Sequence, residues 1–400
     1  MRLTTLVGGL VALGWGALAL DYALGARRAR SLDREPPFEE SETAPALSVV
    51  FAACNEEEKL PAALAALAAQ NYPGPFEIVA VDDRSTDATG VLLDRLAADG
   101  APGNKRVVVL HVRELPAGWL GKTHALWQGA HQATGEWILF TDADIVFAPD
   151  CLSRAVRFAE RERLDHLVSF FRLDLRGFWE HAFGLCFSFL FFLRFRPWHV
   201  RNPRRPEYLG VGGFNLVRRE AYHAVGTHRA LALEVIDDME LGRRVKKAGC
   251  ASDVVGAADQ ISVRWQEGLS GLMGGLIKNA YAGLDYSPWV LARSVALAVG
   301  TMVWPLVGVF AARSRTERAA HAVSLAAIIG LGAYHARNGR VPSGYALTLP
   351  LTTLLLVGVM FRSAWVTETN HGITWRGTFY PLDALRARKV PPVPPLLPVG

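Results

Sequence analysis

"ALSVVFAACNEEEKLPAALAALAAQ", residues 46–70, sets out the unit from which the fold is built. It opens as a short apolar, β-rich run, turns polar at Asn55–Lys59 and continues with helical composition. The pattern then recurs. "FEIVAVDD" (76–83) precedes the helical "STDATGVLLDRLAAD" (85–99), "KRVVVLHV" (105–112) precedes "KTHALWQGAHQAT" (122–134), and "EWILFTD" (136–142) follows. Short apolar runs alternating with amphipathic helices predict an α/β domain with a mostly parallel sheet covered on both faces. In such sheets ligands sit outside the carboxyl ends of the strands.

Polar residues gather at those ends. Asn55 and Glu56 follow the first run, Asp82 and Asp83 end the second, and Asp142 and Asp144 end the fourth. Any one of these, like Ser85, Thr86 or Asp87, reads equally well as a cap for the next helix. Three acidic ends on one rim point instead to a site. Paired carboxylates are stable around a positive charge or a shared proton. Hard oxygen ligands suit Mg²⁺ or Mn²⁺, which keep waters and bridge to substrate phosphates. The Asp-X-Asp pair therefore predicts a metal holding a diphosphate. Lys122, in "GWLGKTHAL" (118–126), is either an ordinary helix-start cation or a point charge for that diphosphate. Asp237, Asp238 and Glu240 in "EVIDDMELGRRV" (234–245) are either an acidic first turn favoured by the helix dipole or the source of a general base. Such a base would take a proton from an acceptor hydroxyl while the metal stabilises the departing diphosphate.

The chain has 400 residues, half of them apolar and a fifth charged. Residues 3–20, 294–312 and 341–361 carry no charge, and 319–336 carry only two histidines, so four membrane spans are expected. The first reads as a cleaved signal peptide or, better, as an uncleaved anchor over 1–25. Its apolar run is long and "ARRAR" (26–30) follows directly. Positive charge beside a span stays in the cytoplasm, which places 30–290 there and the chain in the inner or plasma membrane as a multi-pass protein. The net charge of +5 is explained by basic flanks of membrane helices and requires no nucleic acid. Cys54, Cys151, Cys186 and Cys250 show no paired spacing, which argues against a disulfide or zinc framework.

The expected organisation is the anchor (1–25), a polar linker (26–45), an α/β domain (46–288), three C-terminal spans (289–366) and a tail (367–400) whose end, "VPPVPPLLPVG" (390–400), reads as disordered. Residues 177–200 are aromatic but interrupted by Glu180, His181, Arg194 and Arg196, and fit a helix in the membrane interface better than a fifth span. Residues 266–288 look similar. Three spans after a cytoplasmic domain put the carboxyl terminus outside. Arg376, Arg386, Arg388 and Lys389 favour the inside, as do Arg313, Arg315 and Arg318 between two spans, so one run is a candidate to be re-entrant, near Pro305.

The set "VVFAACNEEE" (49–58), "VAVDDRSTDATG" (79–90), "GWLGKTHALWQGAHQATGEWILFTDAD" (118–144), "GGFNLVRREAYHAVG" (212–226) and "IDDMELGRRVKKAG" (236–249) resembles the family-2 inverting glycosyltransferases over roughly 46–280. Among its branches the membrane-anchored, lipid-directed enzymes are most similar (hopanoid-associated, carotenoid-glucosylating and ceramide-glucosylating), and "GITWRGTFYPL" (372–382) resembles those branches too. The resemblance implies a nucleotide-sugar-binding fold of the GT-A type and a single displacement with inversion. The donor would be a nucleotide sugar, UDP-linked, and the acceptor a lipid. Ala53 and Glu56 would lie at the nucleotide, and Asp83, with Asp82 beside it, would meet the uracil or ribose. Lys122 would approach the diphosphate, and Asp142 and Asp144 would hold donor and metal. Asp238 matches the catalytic base, and Asp237 fills a position usually held by Glu. The Gln-x-x-Arg-Trp motif is incomplete in "DQISVRW" (259–265): Arg264 and Trp265 are present, but Ile261 holds the Gln position. That departure favours one sugar on one lipid over a processive polysaccharide synthase. A non-catalytic nucleotide-binding scaffold or transporter is the remaining alternative. Nothing in the sequence sets an oligomeric state.

Overall fold

The structure is a computed structural model that describes residues 3–39, 42–100 and 105–391. The chain divides into two units. One, α/β in character, takes residues 30–172, 199–264 and the segment from 374 onward; the other takes residues up to 29, 173–198 and 265–373.

An eight-stranded sheet forms the α/β unit, in the order 30–31, 252–256, 166–170, 215–218, 137–142, 47–53, 76–83, 106–112. All neighbours run parallel except Asn215–Arg218, which is antiparallel to the strands on both its sides. Every residue of Phe76–Asp83 is buried, as a strand covered on both faces requires. Val50, Val79, Val81, Val108, Leu110 and Phe140 pack into one core with Ala125, Leu126 and Ala130 of the helix Gly121–Gln132. Leu60, Leu64 and Leu67 are buried from the helix Leu60–Ala68.

At the amino ends of the strands a structural polar cluster closes the sheet. Glu77 accepts hydrogen bonds from Ser48 Oγ at 2.5 Å and Thr134 Oγ1 at 2.9 Å, and pairs with Arg106 at 2.8 Å. Burial alone would raise its pKa, but the Ser48 and Thr134 hydrogen bonds and the Arg106 charge hold it below the usual carboxylate range.

Two segments differ from expectation. The 26–45 stretch is more than a linker: Arg30–Ser31 pairs with Val255–Gly256 and extends the sheet. Its proline-bearing polar composition hides a two-residue edge strand too short for any periodicity. The tail contains a hairpin, Gly372–Trp375 with Thr378–Pro381, followed by the helix Leu382–Ala387. Arg376 and Gly377 at its tip have φ of 49° and 75°, the two left-handed residues that a two-residue type I′ turn demands. Residues 392–400 of the proline-rich end lie outside the described residues.

The second unit is helical: Leu3–Ala26, Gly177–Phe195, Gly268–Ala282, Pro288–Ala298, Trp304–Ala311, Arg315–Asn338 and Leu349–Thr369. A π-turn, Val299–Val303, joins the fourth to the fifth just ahead of Pro305. Among the described residues, five helical segments, 4–26, 177–199, 288–311, 315–338 and 343–369, are long and apolar enough to cross a bilayer. Large apolar side chains point outward from several of them, including Leu13, Trp289, Phe310 and Trp365, the inverse of a water-facing helix.

Candidate active site

Strand register builds the rim. Ala52 is the partner of Asp142 on one side, and Ala53 is the partner of Asp82 on the other. The small side chains at 52 and 53 therefore separate two carboxylates at the ends of the strands that flank 47–53 on either side.

Lys122, in the first turn of the helix Gly121–Gln132, reaches across to this edge. Its Nζ donates to Asp142 Oδ1 at 2.7 Å and lies 3.8 Å from Asp237 Oδ1. Burial would lower the lysine pKa, but Asp142, then Asp237 and Asp238, raise it above the ordinary value. Asp144 is paired with Lys59 at 3.3 Å, yet burial and the Asp142 charge push its carboxyl up to about 6. Two acids, each with a lysine and one still driven towards protonation, mark a place where further positive charge would be favourable.

Asp237 and Asp238 open the helix Asp237–Lys247. Gly210 and Gly242 make their placement possible. A Cβ on Gly242 would stand 1.9 Å from Leu209 O, and one on Gly210 would stand 1.7 Å from Asp238 O. Only two glycines let the helix press backbone to backbone against 209–210. Asp238 Oδ1 accepts the Met239 N–H at 2.8 Å. Burial first, then the neighbouring Asp237 charge, push the Asp238 pKa upward against Lys122. A carboxylate raised towards neutrality is suited to general-base work. Lys122, Asn215, His228, Asp237 and Asp238 line one small cavity.

The other half of the rim is committed to its own contacts. Asp82 accepts the Ser85 N–H at 3.2 Å and faces His111 Nδ1 at 3.0 Å, and His111 Nε2 meets Asp94 at 2.9 Å. Asp83 pairs with Arg84 through Nε at 2.8 Å and Nη2 at 3.2 Å. Arg84 donates to Thr378 Oγ1 at 3.1 Å, and the Gly121 N–H donates to the buried Tyr380 hydroxyl at 3.2 Å. Arg376, at the hairpin tip, pairs with Glu56 and donates to Cys54 O. The hairpin thus roofs the ends of the first two strands. Composition gave no hint that residues more than 250 positions downstream of Gly121 and Arg84 would join them. Lys59, Arg84, His111, His228, Arg376 and Tyr380 escaped the sequence reading of the site, and only the likeness of 372–382 to lipid-directed enzymes signalled the hairpin.

The structure therefore gathers Lys122, Asp142 and Asp237 around one ammonium, with Asp238 beside Asp237. It places Ala53, Glu56, Asp82 and Asp83 along the adjoining strand ends. Arg264 closes the 199–264 stretch of the α/β unit after the strand Ile261–Val263, whereas Trp265 belongs to the helical unit, where its ring packs 5.7 Å from Phe187. No group of three or more His, Cys, Asp or Glu able to hold a metal by itself occurs among the described residues. Asp142 and Asp144 still fit Mg²⁺ or Mn²⁺, because such ions take one or two carboxylates and complete their shell with substrate phosphates and water.

Comparisons with known proteins bear on the family and the fold. Residues 48–226 match the model of the family described as Glycosyl transferase family 2. The 4,4'-diaponeurosporenoate glycosyltransferase of Staphylococcus aureus (strain USA300) is 22% identical over 344 residues, which cover 84% of this chain and 89% of that one. Among solved structures, the mannosyltransferase PcManGT from Pyrobaculum calidifontis, in complex with GDP-Man and Mn²⁺, is 18% identical with a TM-score of 0.54, covering 92% of this chain and 99% of that one.

Proposed function

With residues 48–226 forming a glycosyl transferase family 2 domain on a GT-A type fold, we propose that this chain is a membrane-embedded, inverting, metal-dependent enzyme that moves a sugar from a UDP-linked donor to a lipid hydroxyl. The observation that carries the reading is Lys122, held between Asp142 and Asp237 at 2.7 Å and 3.8 Å. Asp142 and Asp144 would hold Mg²⁺ or Mn²⁺, which supplies charge neutralisation for the departing diphosphate. Lys122 binds the same diphosphate as a fixed cation, and the hairpin residue Arg376 adds charge at Glu56. Asp82 and Asp83 order the nucleotide end of the pocket.

Asp238 takes the proton of the acceptor hydroxyl. The acceptor oxygen then bonds to the anomeric carbon as the bond from that carbon to the diphosphate oxygen breaks, and the electron pair leaves on the diphosphate. One displacement inverts the anomeric centre. The lipid acceptor is supported by the outward-facing apolar helices, and by the carotenoid-type acceptor in the name of the Staphylococcus aureus relative. The incomplete Gln-x-x-Arg-Trp motif favours a single addition over processive synthesis.

The test is transfer by the purified full chain in detergent, with UDP-sugars, Mn²⁺ or Mg²⁺ and extracted membrane lipid. The expected result is UDP release with one sugar added per lipid, abolished in Asp238→Asn. Absence of transfer by the native protein, or equal transfer by the variant, refutes the reading, and long polymer would replace it with a synthase.

A further inference from the structure

Thr227 holds φ 58° and ψ −173°, a backbone conformation that is an outlier for a β-branched residue. Strain of this kind persists only where surrounding contacts over-determine it. Thr227 Oγ1 accepts the Arg229 N–H at 3.3 Å and starts the short turn His228–Leu231. That turn drives the His228 ring into the interior, 1% exposed.

Tyr222 clamps the ring. The His228 N–H donates to the Tyr222 hydroxyl at 3.0 Å, and the same hydroxyl stands 2.9 Å from Nδ1. The Tyr222 hydroxyl accepts the backbone hydrogen with one lone pair and has its own hydrogen to give to Nδ1, the arrangement that puts the ring hydrogen on Nε2. Nε2 has no hydrogen-bond partner among the described residues and faces Asp237 Oδ2 at 3.8 Å. The other Asp237 oxygen faces Lys122 Nζ. Burial, then the Lys122 charge, hold the His228 pKa down at about 3, so the ring is neutral.

Resting on the glycosyltransferase reading, we propose that His228 is a positioning residue for sugar transfer, whose Nε2–H holds the Asp237 carboxylate that in turn orients Lys122 beside the Asp238 base. The ring does not touch substrate. It supplies a neutral donor on one side of Asp237 while Lys122 supplies a cation on the other. The separation exceeds a hydrogen bond, as such contacts often do before substrate closes the site. The plain rival is that His228 only fills the core against Phe140, whose ring lies 4.6 Å away, a task leucine would perform as well.

Two measurements on the full chain in detergent decide between them. In protein labelled with ¹⁵N-histidine, His228 (assigned by its loss in His228→Gln) is expected as the Nε2–H tautomer, with a resonance that moves in Asp237→Asn. In kinetics, His228→Leu is expected to lower kcat about ten- to a hundredfold with donor KM within about twofold. His228→Gln, which keeps an N–H donor, is expected to recover most of that loss. An Nδ1–H tautomer, or leucine performing as well as glutamine, overturns this proposal alone. A native protein without transfer overturns the enzymatic reading and the role with it.

Discussion

Lys122 Nζ stands 2.7 Å from Asp142 Oδ1 although the two come from different layers, a helix start and a strand end. The lysine faces Asp237 as well, so it neutralises acids from both sides of the rim. Lys122→Met is expected to lower kcat by about a hundredfold or more, because a fixed charge at the leaving group is lost and buried acids confront one another. Transfer assays at saturating donor check this, and a variant within a few-fold of native activity removes Lys122 from the mechanism.

The pH profile offers a second handle. Asp238 must be ionised to accept a proton, and burial together with Asp237 raises its pKa. The rate should therefore fall as pH drops through that raised value. Asp237→Asn removes the like charge, so the acidic limb should move to lower pH even though the maximal rate declines. A limb that stays in place, or moves up, contradicts the coupling.

Much of this was legible in the sequence. The alternating runs of 46–142 became parallel strands and covering helices, the inner strands buried on both faces and the edge strand Arg106–Val112 only in part. The acids at strand ends stood out against apolar flanks. What stayed hidden needed distant partners. Asn215–Arg218 is a four-residue antiparallel insert whose neighbours lie more than 40 residues upstream. His228 has no sequence signal, because Tyr222 and Asp237 meet its ring only in the folded chain. Arg376 and Tyr380 reach the rim by tertiary folding alone, which no local periodicity records.

Packing around the base makes a third prediction. Gly242→Ala forces a methyl to 1.9 Å from Leu209 O, a backbone atom that cannot rotate away. The expected result is a loss of about 1–3 kcal/mol, read as a lower Tm, together with reduced kcat as Asp238 shifts. An unchanged Tm would show that the helix start is free to move.

Acid stability gives a fourth. His166 is buried, donates from Nε2 to Asn215 Oδ1 at 2.6 Å, and has its pKa lowered to about 4 by burial. The unfolded chain binds a proton near the ordinary histidine value, and the folded one does so only below about 4. Stability contributed by the neutral ring is therefore full above the unfolded value and is lost as pH falls towards 4, by up to ~1.4 kcal/mol per pH unit. His124 and His228 act in the same direction. Denaturant unfolding between pH 7 and 4 should show a shallower slope in His166→Gln than in the native protein. An identical slope would contradict the assignment.

Membrane threading gives a fifth. His166–Phe170 and Asn215–Arg218 are neighbours in one sheet, yet the helix Gly177–Phe195 lies between them in sequence. A single crossing there would part them, so that helix is expected to return to the side it left. Thr374–Pro391 also belongs to the α/β unit, so residues 265–373 are expected to cross an even number of times. Three apolar segments then supply two crossings, and 288–311, whose helix carries the π-turn at 299–303 ahead of Pro305, is expected to stay on one side and not to cross. In a cysteine-free background, Thr316→Cys should label from the side of the α/β unit and Ser343→Cys from the opposite side. Labelling of both from one side defeats this threading.

The hairpin that carries Arg376, Thr378 and Tyr380 follows the five apolar segments of the described residues in chain order, so it is synthesised after them. Until it arrives, the strand ends lack their roof and Gly121 lacks its phenol partner. Chain order thus separates two stages: the acidic strand ends are synthesised first, and the arginine and phenol that cover them come only after the apolar helices.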